Sequence, residues 1–122
     1  MANTFKVVTF AAEPNAAGTP YVVYTAGSGV TTVVLGLILT NINTAQVTAE
    51  VELVSDTEDR GGNNDVDNGT AFLAKDIPIP VGSSVELLSG NKVVLEATDQ
   101  IRIDCSVADK LSGSLSIMEI TA

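Results

Sequence analysis

Thr31-Thr32-Val33-Val34-Leu35-Gly36-Leu37-Ile38-Leu39-Thr40-Asn41 is the longest apolar run in the chain, and its reading decides the fold. Between residues 33 and 39 no side chain is polar or charged. Val33, Val34 and Ile38 are β-branched, which suits a pleated sheet better than a helix. Gly36 would cost a helix interior about 1 kcal/mol against alanine; in a strand it marks a place where another backbone comes close. The run is far shorter than the ~20 residues of a membrane-spanning helix. It therefore reads as a central strand covered on both faces, with the rest of the chain packed around it.

Its neighbours carry the same grammar. Residues 46–54 alternate, with Val47, Ala49, Val51 and Leu53 inward and Thr48, Glu50 and Glu52 toward water. Such alternation marks an antiparallel sheet with one wet face. Residues 5–10 form a first strand, with Phe5, Val7 and Thr9 on one side and Lys6, Val8 and Phe10 on the other. A loop with Pro14 and Pro20 follows over residues 11–20, then a strand at 21–25 and a turn through Gly27 and Gly29. Residues 55–70 are too polar to pack and read as an exposed acidic loop. Strand character resumes at 71–75. Ile77-Pro78-Ile79-Pro80 belongs at an edge, because proline lacks the ladder donor. Further strands fall at 84–88, 92–96, 100–107 and 112–121. Roughly eight to ten short strands without a capped helical segment predict an all-β fold, an antiparallel β-sandwich or jelly-roll. Residues 1–122 read as one such domain.

Composition narrows the chemistry. Hydrophobic residues make up 45% of the chain but aromatics only 4%, so the core is aliphatic and offers few stacking platforms. Six basic against fifteen acidic residues give a formal net charge of -9, which repels phosphate backbones and anionic lipid. Neither nucleic acid nor membrane is expected as a partner. With no histidine and one cysteine, Cys105, the chain cannot build an intrachain disulfide, a Cys/His zinc site or a histidine triad. Cys105 shares a side with Ile101, Ile103 and Val107 and reads as a small buried hydrophobe. Lys6 is not followed by a long apolar stretch with a small-residue cleavage site, so no signal peptide is expected.

Three stretches resemble small all-β virion structural proteins of tailed bacteriophages, especially marine cyanophages. They are Ile77-Pro78-Ile79-Pro80-Val81-Gly82-Ser83-Ser84-Val85-Glu86-Leu87, Gly90-Asn91-Lys92-Val93-Val94-Leu95-Glu96 and Asp99-Gln100-Ile101-Arg102-Ile103. A closing Met118-Glu119-Ile120-Thr121 and the early Val34-Leu35-Gly36-Leu37-Ile38-Leu39-Thr40-Asn41 add to the likeness. The resemblance implies a virion location and a non-enzymatic structural role, foremost capsid decoration or cement, with other virion proteins, major capsid or tail, as partners. A tail, neck or fibre-associated component is the alternative place. It carries over no catalytic residue, and the acidic segment at 55–70 lies outside it.

Asp56, Glu58, Asp59, Asp65 and Asp67 offer hard oxygens for calcium, but EF-hand phase fails. With Gly69 as the loop glycine, Val66 falls on the third position and Lys75 on the twelfth; with Gly61 there, Arg60 falls on the fifth. Glu50 and Glu52 read as solubilising a sheet face rather than as a glycosidase pair. Asn68-Gly69-Thr70 matches a glycosylation sequon that matters only in a eukaryotic secretory setting. Gly27 and Gly29 precede a strand, so they are no phosphate loop. No catalytic, cofactor-binding or metal residue is assigned, and no cofactor is expected. A carbohydrate-binding β-sandwich is the competing function, weakened by the missing aromatic platform.

Assembly is the last expectation. Residues 5–10 and 112–121 have apolar residues on both sides: Val8 and Phe10 oppose Phe5 and Val7, while Met118 and Ile120 oppose Leu115 and Ile117. One side of each can enter its own core, which leaves the other for a homo-oligomer, with a trimer as the preferred closure. The competing arrangement is a monomer whose two terminal segments pair with each other.

Overall fold

The computed structural model describes residues 2–55, 70–88 and 93–121. Among them nine strands run in order: β1 (Ala2–Glu13), β2 (Tyr21–Thr25), β3 (Val30–Asn41), β4 (Val47–Val54), β5 (Thr70–Ile79), β6 (Ser84–Leu87), β7 (Val93–Leu95), β8 (Gln100–Cys105) and β9 (Leu111–Thr121). The described residues contain no helix. The acidic residues 56–69 and the connection at 89–92 lie outside the described residues, and with them the calcium, sequon and tight-turn expectations placed there.

All pairings are antiparallel and form two sheets. The first has the order β1-β9-β3, with β6 and β7 both on the far side of β3; the second is β2-β8-β4-β5. β6 pairs with Leu37 to Thr40 and β7 with Thr32 to Val34, so they are two pieces of one strand position. Eight positions in this order, with the chain crossing between sheets, make a jelly-roll.

The core forms where the two inner faces meet. Phe10, Val34, Leu37, Leu39, Leu115 and Ile117 come from the first sheet; Val51, Ile79, Ile101 and Ile103 come from the second, all buried. Each large aliphatic side chain so covered is worth about 1.5–3 kcal/mol against exposure. Cys105 is buried among them, and burial pushes its thiol up from the ordinary value. Val107, expected beside it, is instead exposed beyond the end of β8.

Several expectations need correction. β3 is central in its sheet but covered on one face only: Val34, Leu37 and Leu39 are buried while Ile38 is 41% exposed. Gly36 admits no close backbone, since a Cβ there would meet nothing nearer than the Leu87 carbonyl oxygen at 4.0 Å. It sits instead at a bulge, where the register with β9 slips between Val34 and Gly36. The close approach belongs to Gly113, whose Cβ would run into the Ile38 carbonyl and come within 2.8 Å of the Phe10 ring. β1 is longer than expected, because Ala11 to Glu13 stay in the strand past a register shift. The two terminal strands do pair with each other, from Ala2 opposite Thr121 inward. Of these two, β9 is therefore an interior strand and β1 an edge. Pro78 does lie in an edge strand, β5.

Candidate functional site

Strand alternation gives each sheet an outer face, and the two faces differ in chemistry. On the second sheet, cross-strand partners set charge beside charge. Glu52 stands opposite Arg102 on β8 and Phe72 on β5. Arg102 Nη2 lies 3.0 Å from Glu52 Oε1, a contact that is ionic without being aligned as a hydrogen bond. These neighbours leave Glu52 only 8% exposed, so it is covered rather than solvated as its alternation implied. Lys75 Nζ donates to Glu50 Oε1 at 2.7 Å and lies 4.7 Å from the Phe72 ring centroid. Glu50 holds the Lys75 ammonium above its usual range.

A depression of ≈170 Å³ opens beside these pairs, lined by Gly18, Thr48, Glu50, Asp76, Asp104 and Ser106. Two of its three carboxylates are occupied, while Asp76 is exposed. Asp104 Oδ1 accepts from the Gly18 and Cys105 amides at 3.1 and 2.8 Å, tying the β1–β2 loop to β8. Glu50 is bound to Lys75. Among the described residues no group of three or more acids or thiols converges to hold a metal ion. Glu50 and Glu52, the pair weighed for glycoside chemistry, are each engaged by a different cation.

The first sheet's outer face is built differently. Residues paired across antiparallel strands point the same way, so the register sorts this face into rows. One row reads Phe5 on β1, Met118 on β9, Val33 on β3 and Val94 on β7, crossing the whole sheet. Phe5 is 72% and Val94 55% exposed, with Met118 and Val33 between them half-buried. Val7 and Ile38 extend the apolar surface on the same side. The other rows carry hydroxyls: Thr9 opposite Ser114, and Thr40 opposite Ser112 and Ser84. Among the described residues charge enters only at its borders, where Glu86 on β6 pairs with Ile38 and Glu96 accepts from Thr31 Oγ1.

A third cluster bridges the sheets at one end of the sandwich. Tyr24 donates to Glu119 Oε2 at 2.6 Å and so accepts from Thr32 Oγ1 at 2.8 Å. Lys6 Nζ sits 2.7 Å from the other Glu119 oxygen. Lys6 and Tyr24 together hold the Glu119 carboxyl below its ordinary range. Burial, then the Glu119 contact, raises the Tyr24 phenol. Sequence reading missed this cluster because Tyr24 and Glu119 stand 95 positions apart. Asn41 was missed as well: its Nδ2 donates to the Ala45 and Ile79 carbonyls and its Oδ1 accepts from the Asn43 amide, so the buried side chain is fully used.

No family model matches the chain. No curated protein matches it either. A solved structure of infectious bursal disease virus, Gx strain, is similar at 15% identity and a TM-score of 0.43. That match covers 95% of this chain and 32% of the other, so the chain spans about a third of that neighbour's length.

Proposed function

We propose that the chain is a non-enzymatic structural protein of a virion, foremost a capsid decoration or cement protein that docks through the outer face of its first sheet. The observation that carries this reading is that face itself. On a chain of net charge -9, it presents an apolar row with charge, among the described residues, only at the borders. A surface of this kind, rimmed by polar groups, is what a protein partner covers. Phosphate backbones and lipid headgroups find no basic field on such a chain. Glu50, Glu52 and Asp104 of the second sheet are tied up in pairs and straps, which fits a scaffold rather than acid/base chemistry. The resemblance to phage virion proteins supplies the particle as the setting, with the major capsid protein or a tail protein as the surface it meets.

Quantitative mass spectrometry of purified particles tests the proposal. The expected result is a fixed copy number relative to the major capsid protein, lost when Val33→Asp and Val94→Asp are introduced into a chain that still folds. Absence of the chain from purified particles would overturn it. A particle reconstruction then separates capsid from tail or neck placement.

A further inference from the structure

Each sheet has two edges, and three of the four are blunted. β5 carries Pro78, two register shifts against β4 and Asp76 at φ 51°. β2 has five residues and a shift between Val22 and Tyr24. β6 and β7 break their edge into two short pieces. β1 is different: from Ala2 to Phe10 its register with β9 is unbroken, and the strand contains no proline. Among the described residues nothing pairs with its other side. Its one charge over that span, Lys6, turns inward to Glu119. A long, regular, nearly uncharged edge is a template for another strand.

We propose that β1 pairs antiparallel with β1 of a second copy of this chain, across a two-fold axis at Phe5, so that two first sheets become one. Charge selects the occupant. Two copies of net charge -9 repel, and they can approach only where charge is missing. From Ala2 to Phe10 the strand carries no carboxylate, so nothing along it draws a basic partner. A two-fold contact uses the same patch on both subunits and therefore needs self-complementarity. The apolar row supplies it: Val94, Val33, Met118 and Phe5 run to the edge and continue unbroken into the partner's Phe5.

The register follows from which residues share a face. Outer residues of one copy must meet outer residues of the other, so the axis falls on a residue rather than between two. An axis at Lys6 would set two ammonium groups directly opposite, which is destabilising. An axis at Val7 would run the pairing into the shift that begins at Phe10. An axis at Phe5 avoids both, placing Lys6 opposite the partner's Thr4.

Native mass spectrometry and sedimentation of the whole chain test this. The expected species is a dimer, twice 12.6 kDa. Phe5→Glu should abolish it with the circular dichroism spectrum unchanged and a melting temperature that no longer rises with protein concentration, since Phe5 is 72% exposed in one copy. Phe5→Cys should form an intermolecular disulfide under mild oxidation, because directly opposed Cβ atoms lie about 4.5–5.5 Å apart. Val7→Cys should stay reduced, and Cys105 is buried and adds no background. A monomeric or trimeric wild type, a dimer that survives Phe5→Glu, or Val7→Cys linking as fast as Phe5→Cys would each overturn the pairing. The inference shares its face with the proposed particle role, yet the two fail separately. A monomer found at fixed copy number in particles removes the pairing alone, and a dimer missing from particles removes the role alone.

Discussion

On the outer face of β2-β8-β4-β5, Glu50, Glu52, Lys75 and Arg102 neutralise one another in pairs. On the outer face of β1-β9-β3-β6/β7, hydroxyls and an apolar row stand where those charges would be. Both faces grow from the same alternating strands over the same aliphatic core. What differs is the cost of covering them. Desolvating a paired charge costs several kcal/mol before any contact repays it. A surface of Ser, Thr, Val, Phe and Met gives up little hydration and returns about 25 cal/mol per Å² of apolar area. In an acidic chain, gathering charge onto one face leaves the other free to be covered.

The sharpest measure of the contrast lies within one strand. Leu37→Ala should cost about 2–5 kcal/mol, as a fully buried leucine does, while Ile38→Ala one residue away should cost under about 1 kcal/mol. Urea unfolding of both variants reads the difference; equal costs would mean that the first sheet's outer face is covered in the folded monomer. On the second sheet, Arg102→Ala strands the covered Glu52 carboxylate and should cost about 3 kcal/mol. Replacing both, as Arg102→Met with Glu52→Leu, should recover most of that loss; a double variant as unstable as the single would show that the pair does more than neutralise itself.

Next in size is the Lys6–Glu119–Tyr24 bridge between the sheets. The fold holds Glu119 more acidic than an unfolded chain does, so its contribution is complete above the ordinary carboxylate value of roughly 4.3. It is lost as pH falls through the lower folded value. Glu119→Gln should therefore flatten the acid limb of a stability–pH curve, and an unchanged limb would assign acid sensitivity to other carboxylates. Smallest of all, Lys75→Met should change stability measurably only at low salt, where the exposed pair is unscreened. Measured at protein concentrations low enough to keep the chain monomeric, Phe5→Ser and Val94→Ser should stay within about 0.5 kcal/mol of wild type in urea unfolding. A larger loss from either serine variant would make the apolar row part of the monomer's own stability.

Most of the strand inventory was legible in the sequence, since residues 46–54 and 100–105 alternate and proline marks the β5 edge. The central run was legible as a strand but not as a one-sided one. Val33, Val34, Leu37 and Ile38 are all apolar, and a period of two leaves no trace where both faces share one character. The extension of β1 through Ala11, Ala12 and Glu13 was hidden for the opposite reason, because it follows a register shift that breaks alternation. The apolar row joins Phe5, Val33, Val94 and Met118 from four separate strands. Only topology assembles it, and the same holds for the Tyr24–Glu119 bridge.

The insertion of β9 between β1 and β3 has a consequence for biosynthesis. Ala2 lies opposite Thr121, and their contact spans 119 positions. The first sheet thus cannot close until residues 111–121 have left the ribosome. Until then the run from Val33 to Leu39 lacks its longest neighbour, and its inner residues have nothing from β9 to pack against. Sheets that depend on such distant pairings form late and leave apolar strands open to aggregation meanwhile. Truncation anywhere before residue 111 should leave the chain insoluble rather than merely less stable.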